Sequence, residues 1–398
     1  MSEQKRSRLT LGNLNSIEKA AIGLALVFLI VSSVFVASWA VHKEANPTLL
    51  ALEQDVGKLT AALKIEVRDP AGNLKASRCK DDDLSVSNFH GWLAALFTEA
   101  YGQNVVIDTA KNVSGATIIS GFVKTLTVDS GGYMFATCTG AAGPVIAVGN
   151  GTNAPTTSDY SLQTMVENYT IITPAVYANG NVTFSAAITM TATRDISESG
   201  VFLRWGGVSN YIMMIFRDTF SPVTTNSGDA ITITYTIGFA GTGFTNNFGY
   251  VLAGVFQWAP AASEPTVTLY DIANSSQTFT IYGDTQTYWL FDPSAGVSGT
   301  SGIQVGTGSQ AFALNDYSLQ TGVESIASNS KPQIGANNIT GCSTIVMTAT
   351  RTITEAGYFL KGINTTMATK TYMVWRKVFA GVEVPINTCI TITFKITA

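Results

Sequence analysis

The chain has 398 residues, of which 13% are charged, and a formal net charge of −4. This length allows two or more domains that each bury a core. A low charge content together with many Thr, Ser, Asn and Gly residues is typical of extracellular β-proteins and argues against a cytosolic enzyme. Because the chain is slightly acidic and has no long basic run, we exclude nucleic acid as a partner.

The N-terminal region combines basic residues with a long apolar run. Residues 1–19 carry basic side chains, and Ala20 to Val41 contains no charge. At about 1.5 Å per residue, this run is long enough as a helix to cross a hydrocarbon core of about 30 Å. The positive-inside rule places the N-terminus inside the membrane and everything after Val41 outside. A cleaved secretory signal is the alternative, but the run is too long for one.

Part of the N-terminal region resembles a known protein family. This part runs from Gly12 to Ala25 and reads GNLNSIEKAAIGLA. It resembles the start of archaeal type IV pilins and archaellins, in which an Ile-Glu-x-Ala-Ile segment opens a long apolar helix after a processing glycine. The resemblance covers roughly residues 12–60. It implies that helices from many subunits pack as a filament core, and that the chain associates with itself and with the membrane. The assembly residues implied are Ile17, Glu18, Ala20, Leu24, Phe28, Val31 and Phe35.

A second apolar pattern follows the membrane run. Apolar residues recur in steps of three and four at Leu49, Leu52, Val56, Leu59 and Leu63. This is the a/d spacing of a coiled coil over two heptads, and it predicts a short stalk helix. The hydrophobic helix and stalk together would occupy residues 20–63. The stalk either associates with other copies or lies on its own β-domain.

Beyond residue 64 the chain repeats itself. The block Asp159-Tyr-Ser-Leu-Gln-Thr164 recurs as Asp316-Tyr-Ser-Leu-Gln-Thr321, an offset of 157. Val-Gly-x-Gly, Met-Thr-Ala-Thr-Arg and Glu-x-Gly-x-Phe-Leu blocks recur in the same register, and an Ile-Thr-Ile-Thr block closes each copy. The alternation of apolar and polar residues in the Ile-Thr-Ile-Thr block predicts a β-strand at the end of each copy.

The repeat predicts a mainly β chain in which two tandem antiparallel β-sandwich modules follow the N-terminal helix. The expected divisions are a first module at 64–257, a linker at 258–265 and a second module at 266–398. These blocks also resemble tandem β-modules in structural proteins of tailed phages and archaeal viruses. That resemblance implies a structural role and assigns no binding or catalytic residue.

Two further segments of the first module stand out. Asn88 to Phe97 predicts an amphipathic helix packed on the sheet, with Asn88 as its N-cap. Residues 238–257 are rich in Gly and aromatic residues and lack charge. Such a segment seldom stays exposed on a monomer. It either packs against its own sandwich or forms a contact between modules or subunits.

Cysteine and asparagine positions suggest covalent features of a protein outside the cell. Cys342 and Cys389 of the second module are both absent from the first, which predicts a disulfide between them, and Cys79 would then pair with Cys138. Possible glycosylation sites begin at six asparagines. They are Asn112, Asn168, Asn181, Asn274, Asn338 and Asn364.

The sequence offers little for catalysis. It has only two histidines, so it contains no His cluster and no credible Ser-His-Asp set. We therefore expect no enzymatic activity, no catalytic residue, no cofactor and no metal site. Arg194 and Arg351 recur with Glu198 and Glu355, which predicts an ion pair in each copy that supports a turn.

Three functions fit these features. The first is a subunit of an archaeal pilus-like extracellular filament assembled through the N-terminal helix. The second is a membrane-anchored virion spike or vertex protein of an archaeal virus. The third is a monomeric membrane-anchored adhesin that binds a glycan or a host-surface ligand. All three place the chain on a cell surface, an extracellular filament or a virion surface.

Overall fold

Two sets of antiparallel strands dominate the computed structural model. It describes residues 49–81, 84–97, 111–116, 144–205, 211–239, 241–256, 266–280, 302–328, 333–334, 338–363, 366 and 368–397. Over these residues the chain is mainly β, as the sequence predicts. The basic segment, the hydrophobic run and the assembly residues Ile17 to Phe35 lie outside them. Among the helices described, none is long and apolar enough to cross a membrane.

The strands and helices are numbered in chain order. They are β1 Leu49–Lys58, β2 Thr60–Arg68, β3 Leu74–Asp81, β4 Leu84–Ser85, α1 Ser87–Phe97, β5 Val145–Gly149, β6 Thr170–Ile171, β7 Val176–Ala178, β8 Asn181–Thr189, β9 Arg194–Trp205, β10 Tyr211–Thr225, β11 Ala230–Gly238, α2 Asn246–Val255, β12 Thr266–Tyr270, β13 Ser276–Thr280, β14 Gly302–Gly306, β15 Ala327–Ser328, β16 Gln333–Ile334, β17 Asn338–Val346, β18 Arg351–Ile363, β19 Thr369–Val384 and β20 Cys389–Thr397.

The two repeats have the same sheet order. The first repeat forms sheet 1a, in the order β3-β2-β11-β8-β7, and sheet 1b, in the order β4-β10-β9-β5-β6. The second forms sheet 2a, in the order β1-β20-β17-β16, and sheet 2b, in the order β15-β14-β18-β19. Strands β5 to β11 thus take the places that β14 to β20 take in the second repeat. The predicted duplication is confirmed at the level of topology.

The closing strands show why this sequence forms sheets. In β11, Ile231, Ile233 and Tyr235 are buried, while the threonines between them face outward. In β20, Ile390 and Ile392 are buried in the same way. Side chains alternate between the two faces of a strand, so each closing strand turns one apolar face inward. The buried faces of both repeats belong to one continuous hydrophobic core.

The predicted stalk helix is wrong, because residues 49–58 and 60–68 are strands. Ala61, Leu63, Ile65 and Val67 are all buried in β2, a period of two that continues beyond the heptad pattern. All nine residues of β2 pair with β11. Strand β1 lies beside β20 of the second repeat, although only Leu59 separates it from β2. The N-terminal strands therefore join the two repeats.

Among the described residues, sheet 1a has one strand more than sheet 2a, and this difference coincides with a difference in charge. Lys75 and Lys80 of the edge strand β3 form ion pairs with Asp229 and Asp218. At an offset of 159, these two aspartates correspond to Thr388 and Lys377. A strand with the lysines of β3 would find no acidic partner at those positions. The two repeats are therefore alike in topology but unlike at this edge.

The repeat extends to the helices, further than the sequence blocks indicate. Asn88 of α1 donates to Met214 O at 2.9 Å and accepts from Lys111 N at 2.8 Å. Asn247 of α2 donates to Met373 O at 3.0 Å and accepts from Tyr270 N at 2.9 Å. Each pair of equivalent residues is offset by 159. Asn88 is therefore not the predicted N-cap but a bridge within the helix.

Each helix also contacts the other repeat. Helix α1 packs on β10 of the first repeat and contacts β16 and β17 of the second. Helix α2 packs on β19 of the second repeat and contacts β7 and β8 of the first. Equivalent elements thus exchange equivalent contacts, as in a dimer with two-fold symmetry. The residues after Leu49 form a single compact unit.

The aromatic segment lies at this junction. Phe239, Phe244, Phe248 and Phe256 are buried and belong to the core that both repeats share. Both expectations for the segment therefore hold, since it packs on its own sheets and contacts the other repeat. The predicted linker lies outside the described residues, and the module boundaries stay predictions.

We predict that Asn88→Ala and Asn247→Ala each destabilise the fold by about 1 to 3 kcal/mol, because each change leaves buried backbone groups without a partner. The free energy of unfolding from chemical denaturation measures this. Asn150→Ala, at an exposed position, is the control, with a change expected within about 0.5 kcal/mol. A large loss for only one of the two helix asparagines would contradict their equivalence.

Candidate functional site

The most prominent polar feature of each repeat is a buried carboxylate. Glu198 on β9 has no exposed surface. Its Oε1 accepts from Gly151 N at 2.9 Å and Thr164 N at 3.0 Å. Its Oε2 accepts from Gln163 N at 3.2 Å. Three backbone donors from two parts of the β5–β6 connection therefore converge on one side chain.

An arginine completes the shell around this carboxylate. Arg217 on β10 is 1% exposed. It donates to Glu198 Oε2 from Nε at 3.1 Å and from Nη2 at 2.9 Å. It also donates from Nη1 to Asp159 Oδ2 at 2.8 Å and from Nη2 to Asn153 O at 3.3 Å. Arg217 thus bridges two carboxylates, the fully buried Glu198 and Asp159, whose side chain is 23% exposed.

The second repeat reproduces this arrangement. Glu355 accepts from Gly308 N at 2.9 Å, Thr321 N at 3.0 Å and Arg376 Nε at 2.9 Å. Arg376 also donates to Asp316 Oδ2 at 2.7 Å. The motifs that recur in the sequence are therefore the segments that surround one buried Glu-Arg-Asp cluster.

The close packing of the loop against the buried glutamate explains why each Val-Gly-x-Gly block ends in glycine. A Cβ atom added at Gly151 would lie 2.6 Å from Glu198 Oε1, and one added at Gly308 would lie 2.5 Å from Glu355 Oε1. These distances are too short for any other residue. The loop backbone must approach the carboxylate closely to donate its N–H groups, and only glycine permits this.

The cluster is suited to structure rather than to chemistry. Glu198 accepts five hydrogen bonds, from three backbone N–H groups and two guanidinium N–H groups. Its oxygens have no capacity left for a substrate or a metal ion. A buried charge is tolerated only when it is paired and fully hydrogen-bonded, and this cluster meets both conditions.

The predicted ion pairs are wrong in their arginine partners. Glu198 and Glu355 are paired as expected, but with Arg217 and Arg376. Arg194 and Arg351 lie exposed at the starts of β9 and β18. The sequence did hold a signal for the true partners. Phe216-Arg217 and Trp375-Arg376 are offset by 159, the offset of the closing strands.

The predicted Cys342 to Cys389 disulfide is wrong. The register of β17 and β20 places Cys342 opposite Thr393 and Cys389 opposite Val346. Four residues along a strand separate the two cysteines by about 14 Å, whereas a disulfide requires Cα atoms within about 7 Å. Cys79 is exposed on β3. Cys138 lies outside the described residues, so its pairing with Cys79 stays a prediction.

The possible glycosylation sites differ in their surroundings. Asn168, Asn181 and Asn274 are exposed. Asn112 is half-buried, and its side-chain oxygen accepts from Ser114 N at 3.1 Å, Ser114 Oγ at 2.7 Å and Ala116 N at 3.0 Å. The side chains of Asn338 and Asn364 lie outside the described residues. Modification at Asn112 would disturb a turn, whereas the three exposed asparagines are accessible.

Comparison of the chain with protein families, curated proteins and solved structures found no match. The internal repeat is therefore the most informative comparison for this molecule. A feature shared by both repeats serves the common fold. A feature present in one repeat alone needs another explanation.

We predict that Glu198→Gln destabilises the fold by about 1.5 to 3 kcal/mol, because it removes the buried charge partner of Arg217 and leaves only the partly exposed Asp159 to pair with it. Glu355→Gln should have a similar effect through Arg376. Arg194→Gln is the matched control and should change the free energy of unfolding by less than about 0.5 kcal/mol. Urea denaturation measures all three. Equal losses for Glu198→Gln and Arg194→Gln would overturn the assigned pairing.

We further predict that expression in an archaeal host that glycosylates asparagine modifies Asn168, Asn181 and Asn274 more fully than Asn112. The reason is the difference in exposure and hydrogen bonding. Peptide mapping by mass spectrometry measures occupancy at each site. Equal occupancy at Asn112 would show that its turn opens before modification.

Proposed function

We propose that the chain is a non-enzymatic structural surface protein, a subunit of an archaeal pilus-like extracellular filament assembled through its N-terminal hydrophobic helix. The observation that carries the proposal is the order of the two parts. An uncharged run from Ala20 to Val41 precedes a mainly β unit that begins at β1. In a filament, the first part packs with other copies and the second part faces outward.

The β unit suits exposure to the medium. Its two repeats share one core, and β1 and β2 lie in sheets of different repeats. A load on the N-terminal helix would therefore first reach β1, beside β20 of the second repeat, and then β2, beside β11 of the first. A load applied through the helix is then spread over the sheet pairings of β1 and β2, which favours a part that is displayed under tension.

The buried clusters support a structural role in place of catalysis. Glu198 and Glu355 are saturated by hydrogen bonds in the same way in both repeats. An active site seldom satisfies every lone pair of its acid or base, because the reacting group must exchange a proton with the substrate. These carboxylates hold loops against the sheets.

A membrane-anchored virion spike or vertex protein is the second candidate, and β1 favours it. The likeness to pilins extends over residues 12–60, but strand begins at Leu49. The hydrophobic helix is therefore limited to the residues before Leu49, a length that suits a simple anchor. Leu11 also stands where a basic residue usually precedes the processing glycine.

We predict that deletion of residues 1–45 releases a soluble, folded ectodomain, because the deletion removes the hydrophobic run and retains β1. Fractionation and circular dichroism check this, with deletion of residues 1–11 as a control that should stay membrane-associated. If the shorter chain still forms polymers or sediments with membranes, the N-terminal helix is not the assembly element.

The N-terminus of the mature protein separates the two candidates. A first residue at Asn13 indicates processing after Gly12, as in pilins, and supports the filament. A retained Met1 supports the unprocessed anchor of a virion protein. N-terminal sequencing of protein isolated from its native surface provides the answer.

A further inference from the structure

Four tyrosines gather around Asn246, at the start of α2. Tyr177 on β7 donates to Asn246 Oδ1, and its ring lies 4.8 Å from that of Tyr250. Tyr317 lies close enough to the Asn246 side chain to interact with it, and the Tyr317 ring stacks on that of Tyr270 with centroids 4.7 Å apart. All five residues are half-buried, so each keeps part of its surface in contact with solvent.

The common fold does not require this tyrosine cluster. In the first repeat, Tyr160 corresponds to Tyr317, and Lys111 lies over its ring, 5.6 Å from the centroid. Tyr160 and Tyr317 thus occupy equivalent positions in the two repeats, but Lys111 takes the place of Tyr270 as the neighbour of the ring. Ser87 and Gly91 take the places of Asn246 and Tyr250.

The helices pack on their sheets equally in both repeats. Asn88 and Asn247 make the same hydrogen bonds whether serine or asparagine precedes them. Tyr250 and Tyr270 are therefore additions to the second repeat, whereas Tyr317 has a counterpart in Tyr160 and Tyr177 belongs to β7 of the first repeat. The first repeat forms the same scaffold without Tyr250 and Tyr270. The presence of these two rings in the second repeat therefore needs an explanation other than folding.

The surroundings of the cluster are electrically neutral. Burial raises the pKa of the Tyr177 and Tyr317 hydroxyls, and the charge interactions acting on them come only from other tyrosines. The nearest acids are already paired. Asp271 faces Lys370 at 3.6 Å, and Asp316 accepts from Arg376 at 2.7 Å. Among the described residues, a charged ligand would therefore find no unpaired counter-charge at the cluster.

We propose that the tyrosine cluster binds a neutral glycan. Tyrosine offers an apolar ring face and a polar hydroxyl, which match the C–H face and the hydroxyl groups of a sugar ring. The Asn246 amide adds a donor and an acceptor beside the rings. Tyrosine also loses little conformational entropy on contact, and rigid tyrosines are common where proteins bind polar surfaces. The site would give the displayed unit a means of adhesion.

The test uses the full chain in detergent and an array of neutral oligosaccharides without sialic acid or sulfate. Wild-type protein should bind at least one neutral structure. Tyr270→Lys introduces the residue that the first repeat tolerates at this position and should weaken binding about tenfold, the loss expected for one stacked ring. Tyr250→Ala provides a second variant should the first fail to fold.

Lys111→Ala is the matched control, since it alters the equivalent position of the first repeat and should leave binding unchanged. Melting temperatures show whether each variant is folded. The proposal is overturned if wild-type protein binds no neutral glycan, if it binds acidic glycans alone, or if both tyrosine variants bind like wild type. Loss of stability without any glycan binding would assign the cluster to packing between the repeats.

Discussion

Each repeat depends on a carboxylate that is buried away from water. Removal of an ionised carboxylate from water costs several kcal/mol, which the protein must offset with a paired charge and hydrogen bonds. Glu198 binds two parts of the β5–β6 connection through their backbone N–H groups and also binds the guanidinium of Arg217. The glycines, the Asp-Tyr-Ser-Leu-Gln-Thr block and the arginine strand are therefore one structural unit, although they are distant in sequence.

The second level of organisation is the exchange of contacts between repeats. Each helix packs on its own repeat and contacts two consecutive strands of the other repeat. The N-terminal strands β1 and β2 lie in sheets of different repeats. A single core then runs through the whole unit. A tandem duplication has thus produced the equivalent of a closed dimer within one chain. Neither repeat completes its sheets without strands from the N-terminal part of the chain.

The sequence predicted the features that depend on local pattern. Alternation in the Ile-Thr-Ile-Thr blocks identified the closing strands, and the offset of 157 identified the duplication. The stalk was mistaken because Leu59 and Leu63 fit both a heptad and a strand alternation. Only the pairing of β2 with β11 decides between them. A short apolar pattern cannot distinguish helix from strand by spacing alone.

The site was only partly predictable, because it depends on contacts between distant segments. Glu198 and Glu355 were identified from the repeat, but the partner was assigned to the nearest arginine in sequence. The true partner lies on the neighbouring strand. The disulfide was inferred from the joint absence of two cysteines, which gives no information on strand register. Because Cys389 pairs with Val346, four residues beyond Cys342 on β17, the two cysteines are too far apart to form a disulfide.

The unequal edges of the two repeats have a consequence for assembly. Strand β3 and its two ion pairs complete sheet 1a, whereas sheet 2a ends at β1. The internal symmetry is therefore broken at this edge of the described sheets, so the edge of sheet 1a can be distinguished from that of sheet 2a. A perfectly symmetric subunit would stack equally well in either orientation. If the chain assembles as proposed, the unequal edges would give the array a polarity, with a growing end that differs from the end where assembly began.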